Sequence, residues 1–500
     1  MKRRRIWWFP FLSALLFGLS SIEIGLGFLS FFAFVPYLIF ITQATKKQSF
    51  KFGFLFGFII TCITLYGVVY SHILAFIGLL ILYPLYYAVL SWLLKFVQLH
   101  FKKAFIWLFP LMWIAFEYFM TLGPLNFPWL NVGYTLTDYY YLIQFADVFG
   151  IYGLSLACLY INALIFRIPK LGMKVIALLV CIFVLWLGYG IYRDHTIILD
   201  KHNFKVGIVQ LSLSQEEKWD TGLMGINFDK YEKQLQILAR RDSVDLVIFP
   251  ESAINTYLLH EVNLRKRIAN MARANNVNLV TGFNDYRREW DGQSLKYRFY
   301  NSATLIDSFG NYHKTYNKIR LVPFGERIPL MEVLPFLKNL NFGQGTFDYG
   351  DDYTLYELDN LCFGVTICFE GAFPELNRDF VMESADFIIN LTNDGWFRKS
   401  AVAREHARNY IIRAVENRIP VFRAANTGIS YIVNPKGEII AYAPLWAKQN
   451  ISGFLFTTNS RATFFDNIGY LLAKICFISG ILIIIYSILS DVIEKKSNKI

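Results

Sequence analysis

Apolar residues run almost unbroken from Ile6 to about Tyr192. The chain then alternates like a globular domain from His195 to about Thr458, and one last apolar block covers about Phe465 to Leu489. A helix needs about 20 apolar residues to cross the hydrocarbon of a bilayer. Cutting the apolar stretches at their polar and Gly/Pro breaks predicts spans near 6–21, 25–43, 52–70, 73–95, 104–121, 148–166, 174–192 and 466–488. The expected organisation is therefore a membrane α-helical bundle of about eight spans. Seven lie in a membrane domain over 1–194, a large insert follows over 195–460, and 461–500 holds the C-terminal span and tail.

Within the insert the hydrophobic period changes. VGIVQL (Val206–Leu211), DLVIFPE (Asp245–Glu251) and NLVTGF (Asn278–Phe283) read as buried strands. SATLIDSFGN, TICF, FIINLTND and PVFRAANTG add more, and SYIVNPKGEII reads as a hairpin turning at Lys436-Gly437. Helical stretches fall between them, at about Asn227–Arg240, His260–Ala274, Pro374–Met382 and Ala401–Glu416. Strands alternating with helices, with hairpins interspersed, predict a layered α/β domain. No repeat of 20–50 residues and no Walker-type glycine loop occurs in the sequence. In the membrane half, LGPLNFPWLNVGYTLTDYYYLIQ (Leu122–Gln144) is neither a span nor a polar loop. Its Trp129 and tyrosines suit an interfacial belt or the wall of a lipid-entry groove.

Composition and charge sharpen this picture. The 500 residues are 55% hydrophobic and 18% aromatic, with mean hydropathy +0.37, too apolar for an ordinary soluble enzyme. The net charge of +11 sits largely in clusters beside the apolar spans: Lys2–Arg5, Lys46/Lys47/Lys51, Lys102/Lys103, Arg167/Lys170/Lys174 and Lys495/Lys496/Lys499. The opposite connections, Ser20–Gly25, Tyr70–His72 and Leu122–Gln144, contain no Lys or Arg. This alternation predicts both termini in the cytoplasm and the insert on the outer side. No A-x-A-like site follows the first span, which argues against a cleaved signal peptide. The basic excess is thus accounted for without nucleic acid, for which no RNP or zinc-finger pattern is present.

Six cysteines are present, and Cys62, Cys158, Cys181 and Cys476 fall in apolar spans as packing residues. Cys362 and Cys368 lie along one extended run, LCFGVTIC. Six strand residues separate Cα atoms by roughly 20 Å, against a disulfide limit of about 7 Å, so these two are not bridged. No CxxC or HxxxH accompanies them, so no metal site is expected. Cys368 is then a core thiol or a nucleophile at the end of a buried strand. Glu251 ends the strand LVIFP, while Lys318 and Glu326 sit in the turn-rich stretch YNKIRLVPFGE. Taken singly each is an ordinary charge. Together they form the set that thiol acyl transfer requires: a base for the thiol proton, a thiolate, and a cation for the oxyanion.

FPES, YNKIRLVPFGE and ICFE, in that order and spacing, resemble the Glu-Lys-Cys signature of the nitrilase superfamily. Placed between a seventh and an eighth span, the domain resembles the membrane-embedded branch, the apolipoprotein N-acyltransferase family, over essentially the whole chain. Supporting matches are QEEKWD with Trp219, LTNDGWF with Trp396, RAANTG near Asn426, and FPWLNVGY. The resemblance implies an αββα sandwich for the insert and a site in which Glu251 is the base, Cys368 the nucleophile and Lys318 the oxyanion stabiliser. Glu326 would orient Lys318 or assist proton transfer, Glu370 would support the cysteine loop, and Phe369, Trp219 and Trp396 would be supporting residues. It implies a fatty acyl chain moved from a phospholipid, through a thioester, to the α-amine of a diacylglyceryl-cysteine on an apolipoprotein. No cofactor, a monomer, and the bacterial cytoplasmic (inner) membrane are further expectations. Three positions depart from the family pattern. Asn126 stands where many members have Gly, Met120 where they have Arg, and Phe369 where a Tyr is common.

Long acyl chains stay in the bilayer, since each buried CH₂ is worth about 0.8 kcal/mol. RIPLMEVLPFLKNLNF (Arg327–Phe342) is therefore a candidate lipid-contact arm, with Leu330, Met331, Leu334 and Phe336 as its apolar contacts. An ordinary core helix is the alternative for this segment. For the whole chain, the rivals are a membrane-tethered nitrilase-type amidase, a transporter and an inactive structural module. Ionisable residues in the spans amount to little beyond Glu117, against the transporter. The joint presence of Glu251, Lys318 and Cys368 argues against an inactive module.

Overall fold

The computed structural model describes residues 6–22, 25–290, 292, 294–333, 346–460 and 462–497. These group into two units, one within 1–69, 73–194 and 468–500, the other comprising 70–72 and 195–467.

The first unit is helical. Its helices are α1 (Trp8–Ile22), α2 (Val35–Gln43), α3 (Lys46–Thr64), α4 (Ile73–Phe101), α5 (Phe105–Phe119), α6 (Ala146–Leu171), α7 (Met173–Thr196) and a C-terminal helix, Leu471–Ser497. Four of these, α4, α6, α7 and the C-terminal one, are long and apolar enough to cross a membrane, whereas α1, α5 and the Gly27–Gln43 region are shorter apolar helices. The start of α3 lies further upstream than the hydrophobic pattern places it. Thr45 caps it reciprocally: Gln48 N donates to Thr45 Oγ1 (3.2 Å) and Thr45 N to Gln48 Oε1 (2.9 Å). Lys46, Lys47 and Lys51 consequently ride on the helix rather than in a loop.

The FPWLNVGY stretch also differs from the interfacial belt that its aromatics suggest. Trp129, Val132 and Tyr134 are buried. Glu117, from α5, accepts from Val132 N at 2.8 Å, and Gly133 N donates to Ser155 Oγ at 2.8 Å. A Cβ on Gly133 would meet the Ile151 carbonyl at 2.7 Å, so only glycine allows this approach to α6. The polar backbone of a non-helical segment is satisfied inside the bundle, as a low-dielectric setting demands.

The second unit is built on two sheets. The first contains β1 (Leu199–Gln210), β2 (Leu246–Ile248), β3 (Ile254–Tyr257), β4 (Asn278–Trp290), β5 (Leu295–Ile306) and β6 (Tyr316–Asn317). The second contains β7 (Leu355–Leu358), β8 (Leu361–Ile367), β9 (Phe387–Thr392), β10 (Val421–Ala425), β11 (Ser430–Val433) and β12 (Ile439–Ala443). A final strand, β13 (Gln449–Thr458), returns to the first, giving the order β13-β1-β2-β4-β5-β6 with β3 on β4, against β12-β11-β10-β9-β8-β7. Each sheet has a parallel centre, β1-β2-β4 and β8-β9-β10, flanked by antiparallel strands.

Helices α8 (Met224–Ile237) and α9 (Val262–Ala274) cover the outer face of the first sheet, where Tyr231, Leu235, Ile268 and Met271 join Val209, Val247 and Leu279 in one core. On the second sheet, α10 (Pro374–Met382) brings Phe380 against Gly364, whose Cβ would lie 2.5 Å from that ring, and α11 (Ala401–Asn417) supplies Tyr410 to Thr366 (2.8 Å). Between the sheets, Phe387 contacts Phe204 (ring centroids 6.3 Å), Phe363 (4.8 Å) and Phe422 (5.4 Å). The layers are thus αββα. Parallel strands carry their chain ends to one edge, where α/β folds place chemistry.

Candidate active site

Glu251 follows β2 on the segment Phe249-Pro250-Glu251. It can turn there because the neighbouring strand has no side chain in the way: a Cβ on Gly282 would lie 2.9 Å from Glu251 Cα. Lys318 follows the short β6, its N–H donating to Asn301 O at 2.9 Å. Gly350 N donates to Lys318 O at 2.8 Å, and a Cβ on Gly350 would strike the Asn317 carbonyl at 2.0 Å. Glu326 closes the loop that begins at Lys318, its Oε2 accepting from Val322 N at 2.9 Å.

These elements converge. Lys318 Nζ is 2.9 Å from Glu326 Oε1 and 3.8 Å from Glu251 Oε1. Asn301 Nδ2 bridges both carboxylates, donating to Glu251 at 2.7 Å and Glu326 at 2.9 Å. Lys318 is 1% exposed, Glu326 5% and Glu251 7%, so one cation holds two carboxylates almost out of water. Burial pushes the Lys318 ammonium toward losing its proton, but Glu326, Cys368 and Glu251 outweigh it and hold the group above its ordinary value.

Cys368 begins a 3₁₀ turn, Cys368–Ala372, directly after β8. Its φ is +53°, the left-handed region that a β-carbon disfavours. Burial and then Glu251 raise the thiol well above its ordinary value, with Lys318 opposing them. At rest the group is therefore a thiol, and it needs a base to become a nucleophile. Cys362 sits inside β8 and all six cysteines are free, in line with the extended spacing read from the sequence.

Glu370 has a definite place. Fully buried, it accepts from the Tyr316 hydroxyl (2.8 Å), Ile319 N (2.7 Å), Arg320 N (3.0 Å) and Ile367 N (2.6 Å). One carboxylate thus ties the Lys318 loop to the strand end that carries Cys368. Burial pushes its acid up to about 7, against the backbone donors Ile367 and Arg320 and the Lys318 charge. Phe369 is buried and packs edge-on against Phe373 (5.1 Å). Trp219 and Trp396 face each other with ring centroids 6.2 Å apart.

The arm residues separate. Leu330 is exposed, with φ +61°, and Val333 is exposed as well. Met331 is buried together with Ile328. Leu334 and Phe336 lie outside the described residues.

Several groups escape a reading of the sequence. Asn301 is one residue in a strand whose pattern shows only β-character. Lys218, beside Trp219 in QEEKWD, is buried and donates to the Glu251 carbonyl at 2.7 Å. Burial lowers its ammonium to about 8, despite the charges of Glu251 and Cys368. Among the described residues, no group of three or more His, Cys, Asp and Glu is placed to hold a metal ion.

Comparison with known proteins covers both units. Residues 205–455 match the carbon-nitrogen hydrolase family, and residues 13–164 match the apolipoprotein N-acyltransferase N-terminal domain. The chain is 32% identical to the apolipoprotein N-acyltransferase of Geobacter metallireducens, over 95% of this chain and 93% of that one. It is 30% identical to that of Rickettsia prowazekii, over 96% of this chain and 98% of that one. Among solved structures it is similar to Saccharomyces cerevisiae Nit3, a member of branch 10 of the nitrilase superfamily, at 20% identity and TM-score 0.39, over 50% of this chain and 89% of that one. With both units matched and 32% identity sustained over nearly its whole length, the chain belongs to the apolipoprotein N-acyltransferase family.

Proposed function

We propose that this protein transfers a fatty acyl chain from a phospholipid to the α-amine of a diacylglyceryl-cysteine at an apolipoprotein N-terminus, through a thioester on Cys368. The observation that carries the reading is Lys318 buried between Glu326 and Glu251, with Cys368 within their electrostatic reach.

In the first half-reaction the Glu251 carboxylate takes the thiol proton and the thiolate attacks the ester carbonyl carbon. The oxygen gains negative charge beside the Lys318 ammonium, which Glu326 accepts from and holds in place while Asn301 fixes both carboxylates. Collapse breaks the ester C–O bond, Glu251 returns the proton to the leaving alkoxide, and lysophospholipid departs. In the second, the neutral amine attacks the thioester, Glu251 takes its proton, the C–S bond breaks to give an amide, and Glu251 returns the proton to the departing thiolate to restore the free cysteine. Excluding water from this site makes one preorganised cation worth far more than it would be in solvent. Glu370 keeps the two loops in register, and Trp219 and Trp396 offer apolar surface near the chemistry.

The charge alternation supports eight spans with the α/β unit on the outer side and both termini in the cytoplasm, and the family supports the bacterial inner membrane as their site. Leu330 and Val333 supply apolar exposed positions at the base of a lipid-contact arm. Purified protein given phospholipid alone should accumulate a hydroxylamine-sensitive adduct on Cys368, and adding a diacylglyceryl peptide should release N-acylated product. Cys368→Ala should abolish both; full activity in that variant would overturn the mechanism. Free fatty acid as the product, in place of the amide, would instead mark a hydrolase, the reading favoured by the carbon-nitrogen hydrolase match.

A further inference from the structure

Behind Cys368 lies a second buried charged cluster that the mechanism above does not use. His406, on α11, has Nδ1 2.7 Å from Asp394 Oδ1 and Nε2 3.0 Å from the Cys368 carbonyl oxygen. Arg423, on β10, donates from Nη2 to the other Asp394 oxygen at 2.8 Å and from Nη1 to the Ile429 carbonyl. The side chains of Asp394, His406 and Arg423 are 0%, 1% and 0% exposed. Arg423 and His406 together hold the Asp394 carboxyl well below the usual carboxylate range, although burial opposes them.

Donor and acceptor counting decides how the ring is used. A peptide carbonyl only accepts, and so does an ionised carboxylate. His406 must therefore donate from Nε2 to Cys368 and from Nδ1 to Asp394. Arg423 Nη2 also lies 3.2 Å from Nδ1, but a guanidinium cannot accept, and its shorter bond is to Asp394. The 2.7 Å contact to the carboxylate is thus the one that carries the proton, and both cations share Asp394 as their counter-ion.

We propose that His406, fixed by Asp394 and Arg423, is the positioning residue that locks the Cys368–Phe369 peptide and so holds the nucleophile in its left-handed conformation. The peptide unit is planar, so a strong donor on the Cys368 carbonyl fixes the Phe369 N–H direction and the Cys368 ψ together. The φ of +53° at a residue bearing a β-carbon is a conformation that its surroundings must impose. A buried double donor, braced from behind by two further groups, is such a constraint. This inference deepens the acyl-transfer reading and rests on it for the role of Cys368 alone.

The test separates the two. Alkylation of Cys368 by iodoacetamide, read by mass spectrometry on the full-length protein in detergent, reports the thiol's reactivity without any natural substrate. His406→Gln keeps a single amide donor and should slow alkylation roughly tenfold to a hundredfold, the scale on which small misplacements of a reacting group act. In the acyl-transfer assay kcat should fall by a similar factor with KM for the acceptor unchanged. An alkylation rate and kcat equal to wild type in folded His406→Gln would overturn the proposal. Wild type that alkylates normally yet transfers no acyl group would instead sink the functional reading and leave this one standing. Should the variant not fold, ¹⁵N NMR of histidine-labelled wild type decides the matter. His406 is the one fully buried histidine of the seven, identifiable by slow solvent exchange. Two ring N–H signals support the double donor; one bare ring nitrogen refutes it.

Discussion

Replacing Lys318 by Met removes the one cation between two carboxylates while nearly preserving side-chain length. Glu326, 2.9 Å away, and Glu251, 3.8 Å away, are then left as buried negative charges without their counter-ion. Removing one partner of a buried pair costs about 3–5 kcal/mol. Here the lower end applies, about 3 kcal/mol, because Asn301 Nδ2 and Val322 N continue to donate to these oxygens. At about 2–4 °C per kcal/mol for a domain of this size, the α/β unit of Lys318→Met should melt roughly 6–12 °C below wild type. Neutralising the orphaned acid should restore most of this, so Lys318→Met/Glu326→Gln should be more stable than the single variant. The wild-type contribution of Lys318 does not complicate this comparison: its folded value is raised, so its stabilisation is complete below its unfolded value of 10.5 and is lost only at still higher pH. Thermal unfolding at pH 5.5 and 7.5, followed by tryptophan fluorescence, measures all three proteins. Both variants should lack acyl transfer, because neither offers a cation to the oxyanion. A double variant less stable than Lys318→Met would refute the electrostatic account.

Three further predictions follow the same geometry. Glu370 has its folded value raised from 4.5 to about 7, so it contributes stability that is present below about pH 4.5 and is lost as pH rises through about 7. Glu370→Gln should remove that slope, making the difference in melting temperature from wild type change between pH 5 and 8; a constant difference would count against the assignment. Gly371→Ala should sharply impair Cys368 alkylation, because the new methyl would lie 2.1 Å from the Tyr410 ring unless the cysteine turn moves. Leu330→Asp, at an exposed position, should leave the melting temperature within about 1 °C of wild type yet raise KM for vesicle phospholipid; unchanged KM would remove this residue from the lipid-contact arm.

Much of the α/β unit was legible as period alone. The strands at Val206, Asp245 and Asn278, the helices at Pro374 and Ala401, and the hairpin at Lys436-Gly437 correspond to β1, β2, β4, α10, α11 and the β11–β12 turn, where Gly437 has φ +87°. Strand and helix periodicities are local properties, set by which side chains must share a face. The start of α3 was missed because a capping box outweighs three lysines at a helix end. The burial of FPWLNVGY was missed because aromatic residues read alike whether they face an interface or a bundle core.

The amino-acid sequence by itself determined the apolar stretches, the order of strands and helices, and the presence of a glutamate, a lysine and a cysteine at strand and loop ends. These follow from the composition and spacing of neighbours along the chain. Only the tertiary structure decided which groups meet. Asn301 between two carboxylates, Lys218 on the Glu251 carbonyl, and His406 on the carbonyl of Cys368 are contacts across 50, 33 and 38 residues. Such contacts depend on sheet register and on glycine-sized gaps such as Gly282, quantities that no local pattern encodes. Glu370 shows the division most plainly. In the sequence it is an acid two residues past a cysteine, and in the fold it is the clasp that holds the cysteine and lysine loops together, because its buried oxygens take up backbone and tyrosine donors from both sides.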